Sequence, residues 1–136
     1  MVTEAAMTQE SILGSSKLVA FVPTINPQKA RAFYEGVLGL RLVEDAKPFA
    51  LVFDANGTML RVATVRELTP DPFTVLGWDV ESIEITVDKL TQSGVEMLRF
   101  PGMNDNEPRG IWTAPGGARI AWFKDPDGNA LSVTEF

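Results

Sequence analysis

The chemistry open to this chain is bounded by its side chains. It has 18 carboxylates and 12 lysines or arginines, but no histidine and no cysteine. Their absence removes the commonest general base, the commonest transition-metal ligand, every Ser-His or Cys-His dyad and all thiolate or disulfide chemistry. A base must then be a carboxylate, or a lysine with a lowered pKa. Asp79 and Glu107 are the candidates, with Arg61 as the cation that would stabilise developing negative charge. Together these three would suit a metal-independent isomerase or lyase. No two carboxylates have a spacing diagnostic of acid–base work, however, so a second reading ranks above it: a protein that binds a small molecule without transforming it. A third is an interaction module whose interior is mere filler.

Arg61 lies in one copy of a repeated stretch. "DANGTMLRV" occupies residues 54–62 and "DPDGNALSV" residues 125–133, so the same turn and strand are built twice, with arginine in one copy where the other has Ser132. The elements around the copies repeat as well. "KLVAFVPT" reads as a strand, and "INPQKARAFYEGVLG" as a helix with Asn26 as N-cap, Pro27 in its first turn and Gly39 beyond its end. Ala30, Phe33, Val37 and Leu38 share its apolar face. A short strand "RLV" and a hairpin turning at Asn-Gly complete the first half. After the breaker-rich linker "ELTPDP", "FTVLGWDV" is a strand and "SIEITVDKLTQSG" a helix capped by Ser82, with Ile83, Val87 and Leu90 on its buried stripe. "VEML" reads as a short strand and "RIAWFKDPDGNALSVTEF" as the closing hairpin.

Each half is thus strand, helix, three strands. The fold class is α+β: two βαβββ modules, about residues 17–66 and 73–136, forming a single cup-shaped, incompletely closed mixed barrel with its helices outside. A chain of 136 residues, 45% hydrophobic, suits one such domain. A net charge of −6 with scattered basic residues argues against nucleic acid. Residues 1–16 lack the basic start and apolar stretch of a signal peptide and read as a flexible leader. No run approaches the roughly 20 apolar residues of a membrane span. A cytoplasmic protein with no membrane partner is expected.

"FYEGVLGLRLV" after a strand, the mid-chain strand-helix copy and the closing "WFKDPDGNALSV" resemble the vicinal oxygen chelate superfamily, which groups glyoxalase I, bleomycin-resistance proteins and extradiol dioxygenases. The resemblance runs from about Lys17 to Phe136. In metal-dependent members it implies four inward ligands, which fall here on Val19, Arg61, Val75 and Ser132. Two alkyl groups, a fixed cation and a neutral hydroxyl do not make a ligand set, so no metal and no cofactor is expected. The resemblance then points to the bleomycin-resistance type, which binds without transforming. Relatives of this length also commonly dimerise, so a homodimer is expected.

If Val19 and Val75 point inward, alternation adds Lys17 and Phe21 on the first strand, Gly77 and Asp79 on the other, and sends Trp78 beneath the second helix. Alternation alone leaves the last hairpin open. The resemblance favours Ile120, Trp122, Ala130 and Ser132 inward, with Phe49, Leu51, Met59 and Arg61 as counterparts; the alternative turns Phe123 inward. The second half also carries a long Gly-, Pro- and Asn-rich loop, residues 98–117, bearing Phe100, Met103, Arg109 and Trp112. It is either a lid over the cup or a contact with a partner subunit. Arg61 pairs either with a protein carboxylate such as Asp79 or with an anionic group on the ligand.

Overall fold

A computed structural model describes residues 11–136, so most of the stretch read as a leader lies outside the described residues. The chain forms β1 (Val19–Thr24), a helix with an α-helical start, α1 (Pro27–Arg31), β2 (Arg41–Ala46), β3 (Ala50–Ala55), β4 (Thr58–Thr64), β5 (Thr74–Asp79), α2 (Ile83–Gln92), β6 (Trp112–Thr113), β7 (Arg119–Lys124) and β8 (Ala130–Glu135). Two four-stranded mixed sheets result, ordered β1-β4-β3-β2 and β5-β8-β7-β6. In each, the first strand runs parallel to the last and the other pairings are antiparallel. The edge strands β1 and β5 lie against each other, which sets the sheets side by side as an open cup.

The helix starts are fixed locally. The Asn26 side chain accepts from the Lys29 amide at 3.2 Å, and the Ser82 hydroxyl accepts from the Ile85 amide at 3.3 Å, each satisfying a donor of the first turn. Beyond Arg31 the first helix widens into a π-helical turn, Ala32–Val37, in which the Leu38 amide donates to the Phe33 carbonyl. The wider turn lets consecutive Phe33 and Tyr34 both enter the core, whereas Val37 and Leu38 are only half-buried. A uniform α-helical periodicity does not anticipate Tyr34.

The helix-covered faces share one core. Val22, Leu51, Phe53, Leu60 and Val62 of the first sheet join Ala121, Phe123, Leu131 and Val133 of the second, with Ile83, Val87 and Leu90 of α2. Phe33 packs against Phe123 across the modules at 6.4 Å, and Tyr34 against Phe53 at 6.0 Å. Burying each such side chain is worth about 1.5–3 kcal/mol. "VEML" is not a strand: the Leu98 amide makes one bond to the Trp122 carbonyl, and the outer edge strand of the second sheet is β6, inside the long loop. Among the described residues no helix is long and apolar enough to cross a membrane.

Candidate functional site

The face of each sheet away from the helices is the open face. On the first sheet, Phe21 of β1 pairs with Arg61 of β4, which pairs with Val52 of β3. On the second, Gly77 of β5 pairs with Ser132 of β8, which pairs with Trp122 of β7. Matching the modules pair by pair sets Phe21 and Arg61 against Gly77 and Ser132, and Val52 against Trp122. Bulk is therefore inverted. The first module puts large side chains on its inner strands and small ones outside; the second does the reverse. The floor over β5 and β8 is low, and a Cβ added to Gly77 would stand 2.7 Å from the Ser132 hydroxyl.

Above that floor the outer strands raise an aromatic wall. Trp122 lies 5.4 Å from Phe100 in an edge-to-face contact and 6.1 Å from Trp112, tilted by 36°. Ile120 pairs with Trp112 and completes the wall. Phe123 points the other way, fully buried in the core, and its neighbour Trp122 stands on the opposite, open face. Phe21, Val19 and Met59 line the first sheet's part of this face and are 62%, 40% and 42% exposed.

The loop behind Phe100 is tied down by its own hydrogen bonds. Asn104, fully buried, donates to the carbonyls of Leu98 and Gly110 and accepts from the Phe100 amide at 2.7 Å. The Arg99 guanidinium binds the carbonyls of Asn104, Glu107 and Pro108. The loop is also latched to α2, where Arg109 makes bidentate contacts of 2.9 and 3.1 Å with Asp88. Nearby, Arg119 meets Glu84 at 2.8 Å. Their hydrogen bonds to arginine hold both carboxylates below their ordinary range.

Several expected site residues fall elsewhere. Leu51 lies in the helix-side core, and Phe49 precedes β3 and is 75% exposed; Val52 takes the open-face position. The reason is a shift of register. In the first module the two-residue Asn56–Gly57 turn pairs Ala55 with Thr58, whereas the second pairs Lys124 with Ala130 around a five-residue turn. The similar letters therefore hide a one-residue slip, which turns every side chain of the preceding strand over. Val75 is the extra residue of a β-bulge in β5 and packs against the core. Arg109 is committed to Asp88, and the Glu107 carboxylate accepts from the amides of Arg109 and Ile111, both at 2.8 Å, so it braces the loop. Met103 is a 43% exposed loop residue. Asp79 borders a groove of about 340 Å³ between the end of the first helix and α2. No carboxylate lies within ion-pair distance of Arg61 among the described residues, so the pair with Asp79 does not form.

The four positions matched to metal ligands carry no donor set. Val19 faces Met59, Arg61 faces Phe21, Val75 is bulged out and Ser132 faces Gly77. Among the described residues no three His, Cys, Asp or Glu side chains converge. A lone hydroxyl on one sheet and a guanidinium on the other do not fit a divalent ion.

The repeated "DPDGN" turn has another task. Asp125 accepts from the amides of Asp127 and Asn129, from the Asn129 side-chain amide and, at 2.7 Å, from the Tyr34 hydroxyl. Asn129 also donates to the Pro23 carbonyl, and Asp127 accepts from the Ile25 amide. The turn of the second module thus clamps the first helix and the end of β1. Burial and the adjacent Asp125 carboxylate push Tyr34 far above its ordinary value of 10.0.

Residues 17–133 match the family model described as Glyoxalase/Bleomycin resistance protein/Dioxygenase superfamily. No curated protein matches the chain at a significant level. Among solved structures, a member of that superfamily from Sphaerobacter thermophilus DSM 20745 is 24% identical, with a TM-score of 0.68 over 88% of this chain and 96% of that one. TioX from Micromonospora sp. ML1 is 18% identical, with a TM-score of 0.67 over 88% and 98%. Lactoylglutathione lyase from Agrobacterium tumefaciens is 16% identical, with a TM-score of 0.69 over 89% and 93%. Likeness at these identities speaks for the fold.

Proposed function

Because the chain belongs to the Glyoxalase/Bleomycin resistance protein/Dioxygenase superfamily, we propose that it is a metal-independent binder, which takes a small, flat, apolar or aromatic molecule onto its open face and sequesters or carries it. The observation that carries this reading is the inversion of bulk between the modules. A low floor at Gly77 and Ser132 lies between a step of Phe21 and Arg61 and a wall of Trp122, Trp112, Ile120 and Phe100. Flat aromatic faces stack on flat ligands, adding about 0.5–1.5 kcal/mol per well-placed pair beyond burial.

The isomerase or lyase reading has less support. Glu107 is occupied by backbone amides, Asp79 borders the groove beside α2, and neither pairs with Arg61. The proposal includes cytoplasmic residence and a homodimer, to be tested by sedimentation at several concentrations; a monomer throughout would remove the dimer from it.

Titration with a panel of phenolic and polycyclic compounds, followed by indole fluorescence, tests the binding reading. Hits should appear among these before sugars or nucleotides, and Trp122→Ala should weaken them by a factor of about 30 or more, as for a buried aromatic anchor. Unchanged affinity in Trp122→Ala would remove this wall from the site.

A further inference from the structure

Arginine's charge is permanent, and a partly buried guanidinium must find an acceptor. In this chain Arg31 meets Glu35 and Asp45, Arg41 meets Asp54, Arg109 meets Asp88 and Arg119 meets Glu84 and Glu135. Arg99 is bound by three carbonyls, and Arg66 is exposed to water. Arg61 alone is partly buried with neither an ion pair nor a side-chain hydrogen bond among the described residues. Its cross-strand neighbours, Phe21 and Val52, offer no side-chain acceptor.

Its place on the sheet is equally specific. From Arg61 on β4 the open face passes over β1, crosses the junction to β5 and runs over β8 to Trp122 on β7. Arg61 and Trp122 therefore stand on opposite sides of the open face. Between them lies the Gly77 and Ser132 floor, which offers little charge. A net charge of −6 makes the molecule as a whole unattractive to anions, so an anion held here would need a local cation.

We propose that the ligand of the open face is an aromatic acid, its ring against Trp122 and its carboxylate on the Arg61 guanidinium. The inference rests on the binding reading above and adds the ligand's charge. A planar carboxylate matches the guanidinium fork, and the bond is charge-assisted on both sides. Reaching it from a ring against Trp122 requires the acid to project from the end of the flat body, along the line from β7 to β4.

A matched pair of probes tests it: 2-naphthoate and its neutral amide, 2-naphthamide, titrated calorimetrically against the whole chain. The wild type should prefer the acid by about tenfold or more. The preference should shrink in high salt and fall to within about twofold in Arg61→Met. Arg61→Lys should retain part of it, and supplies the comparison if the methionine variant does not fold. Equal affinity of the wild type for acid and amide, with both lost in Trp122→Ala, would overturn the aromatic-acid proposal and leave the binding reading standing. A preference for the acid that survives in Arg61→Met would also overturn it. Absence of binding by either probe and by the wider panel would remove both.

Discussion

The two turns that close the modules are near copies in sequence and opposites in physical role. Asp125 is 5% exposed and gathers four donors from two modules. Asp54 accepts from the Gly57 amide within its own turn and meets Arg41 at 3.6 Å near solvent. What the difference teaches is that the most recognisable motif in the chain marks the joint between modules. The candidate site lies in the residues that follow each turn, where arginine and serine have diverged. A duplicated half is free to keep the joint on one side and spend the other side's equivalent on nothing more than a hairpin.

The largest expected effect breaks that comparison directly. Asp125→Ala strands the Tyr34 hydroxyl and the donors of Asn129, and should cost on the order of 3–5 kcal/mol, as when one member of a buried charged network is removed. Asp54→Ala should cost about 1 kcal/mol or less, because its ion pair is exposed and solvated. Denaturant unfolding of both variants checks the ratio; equal losses would mean that the first turn also clamps the modules.

Tyr34→Phe sharpens the same contrast from the other partner, at about 1.5–3 kcal/mol for a hydrogen bond to a charged group. It also carries a pH signature. Below pH 10 both folded and unfolded chains keep the tyrosine proton, so the raised pKa has no effect there. Above that value the unfolded chain releases the proton and the folded one keeps it, so wild-type stability falls as pH rises. The melting temperature should drop more steeply above pH 10 in the wild type than in Tyr34→Phe. Tyr34 is the sole tyrosine of the chain, so phenolate absorbance reads it directly and should appear only on unfolding.

The smallest expected effect is none. A chelator should leave the melting temperature within error, because the positions matched to metal ligands carry Val19, Arg61, Val75 and Ser132. Close to one zinc, nickel, manganese or iron per purified chain would show a site built from other residues.

Much of the fold was readable because its signals are local. Asn26 and Ser82 cap where their side chains can reach an amide three residues on, in the first turn, and the Asn-Gly turn takes up positive φ at Asn56 and Gly57. The face of Trp122 and Ser132 also follows from alternation once the hairpin's hand is known. The slip at Leu51 was hidden because strand register depends on how many residues the turn leaves unpaired, and similar letters leave two in one copy and five in the other. Val75 was missed because a bulge has no reliable letter. Arg109 and Glu107 look like site residues until Asp88, 21 positions away, and the amides of their own loop come into reach. Such partners are set by folding of the loop, which composition does not specify.

The clamp between Tyr34 and Asp125 has a consequence for how the protein is made. The two residues are 91 positions apart, so Tyr34 emerges from the ribosome long before its acceptor exists. Until then the Tyr34 hydroxyl lacks Asp125, the Pro23 carbonyl lacks the Asn129 side-chain amide, and Phe33 has no Phe123 to pack on. The early half therefore lacks, until the last hairpin is made, the contacts that join it to the second module. Contacts of such long sequence separation carry a high loop-closure cost and slow folding, so the joint between the modules depends on the last residues of the chain.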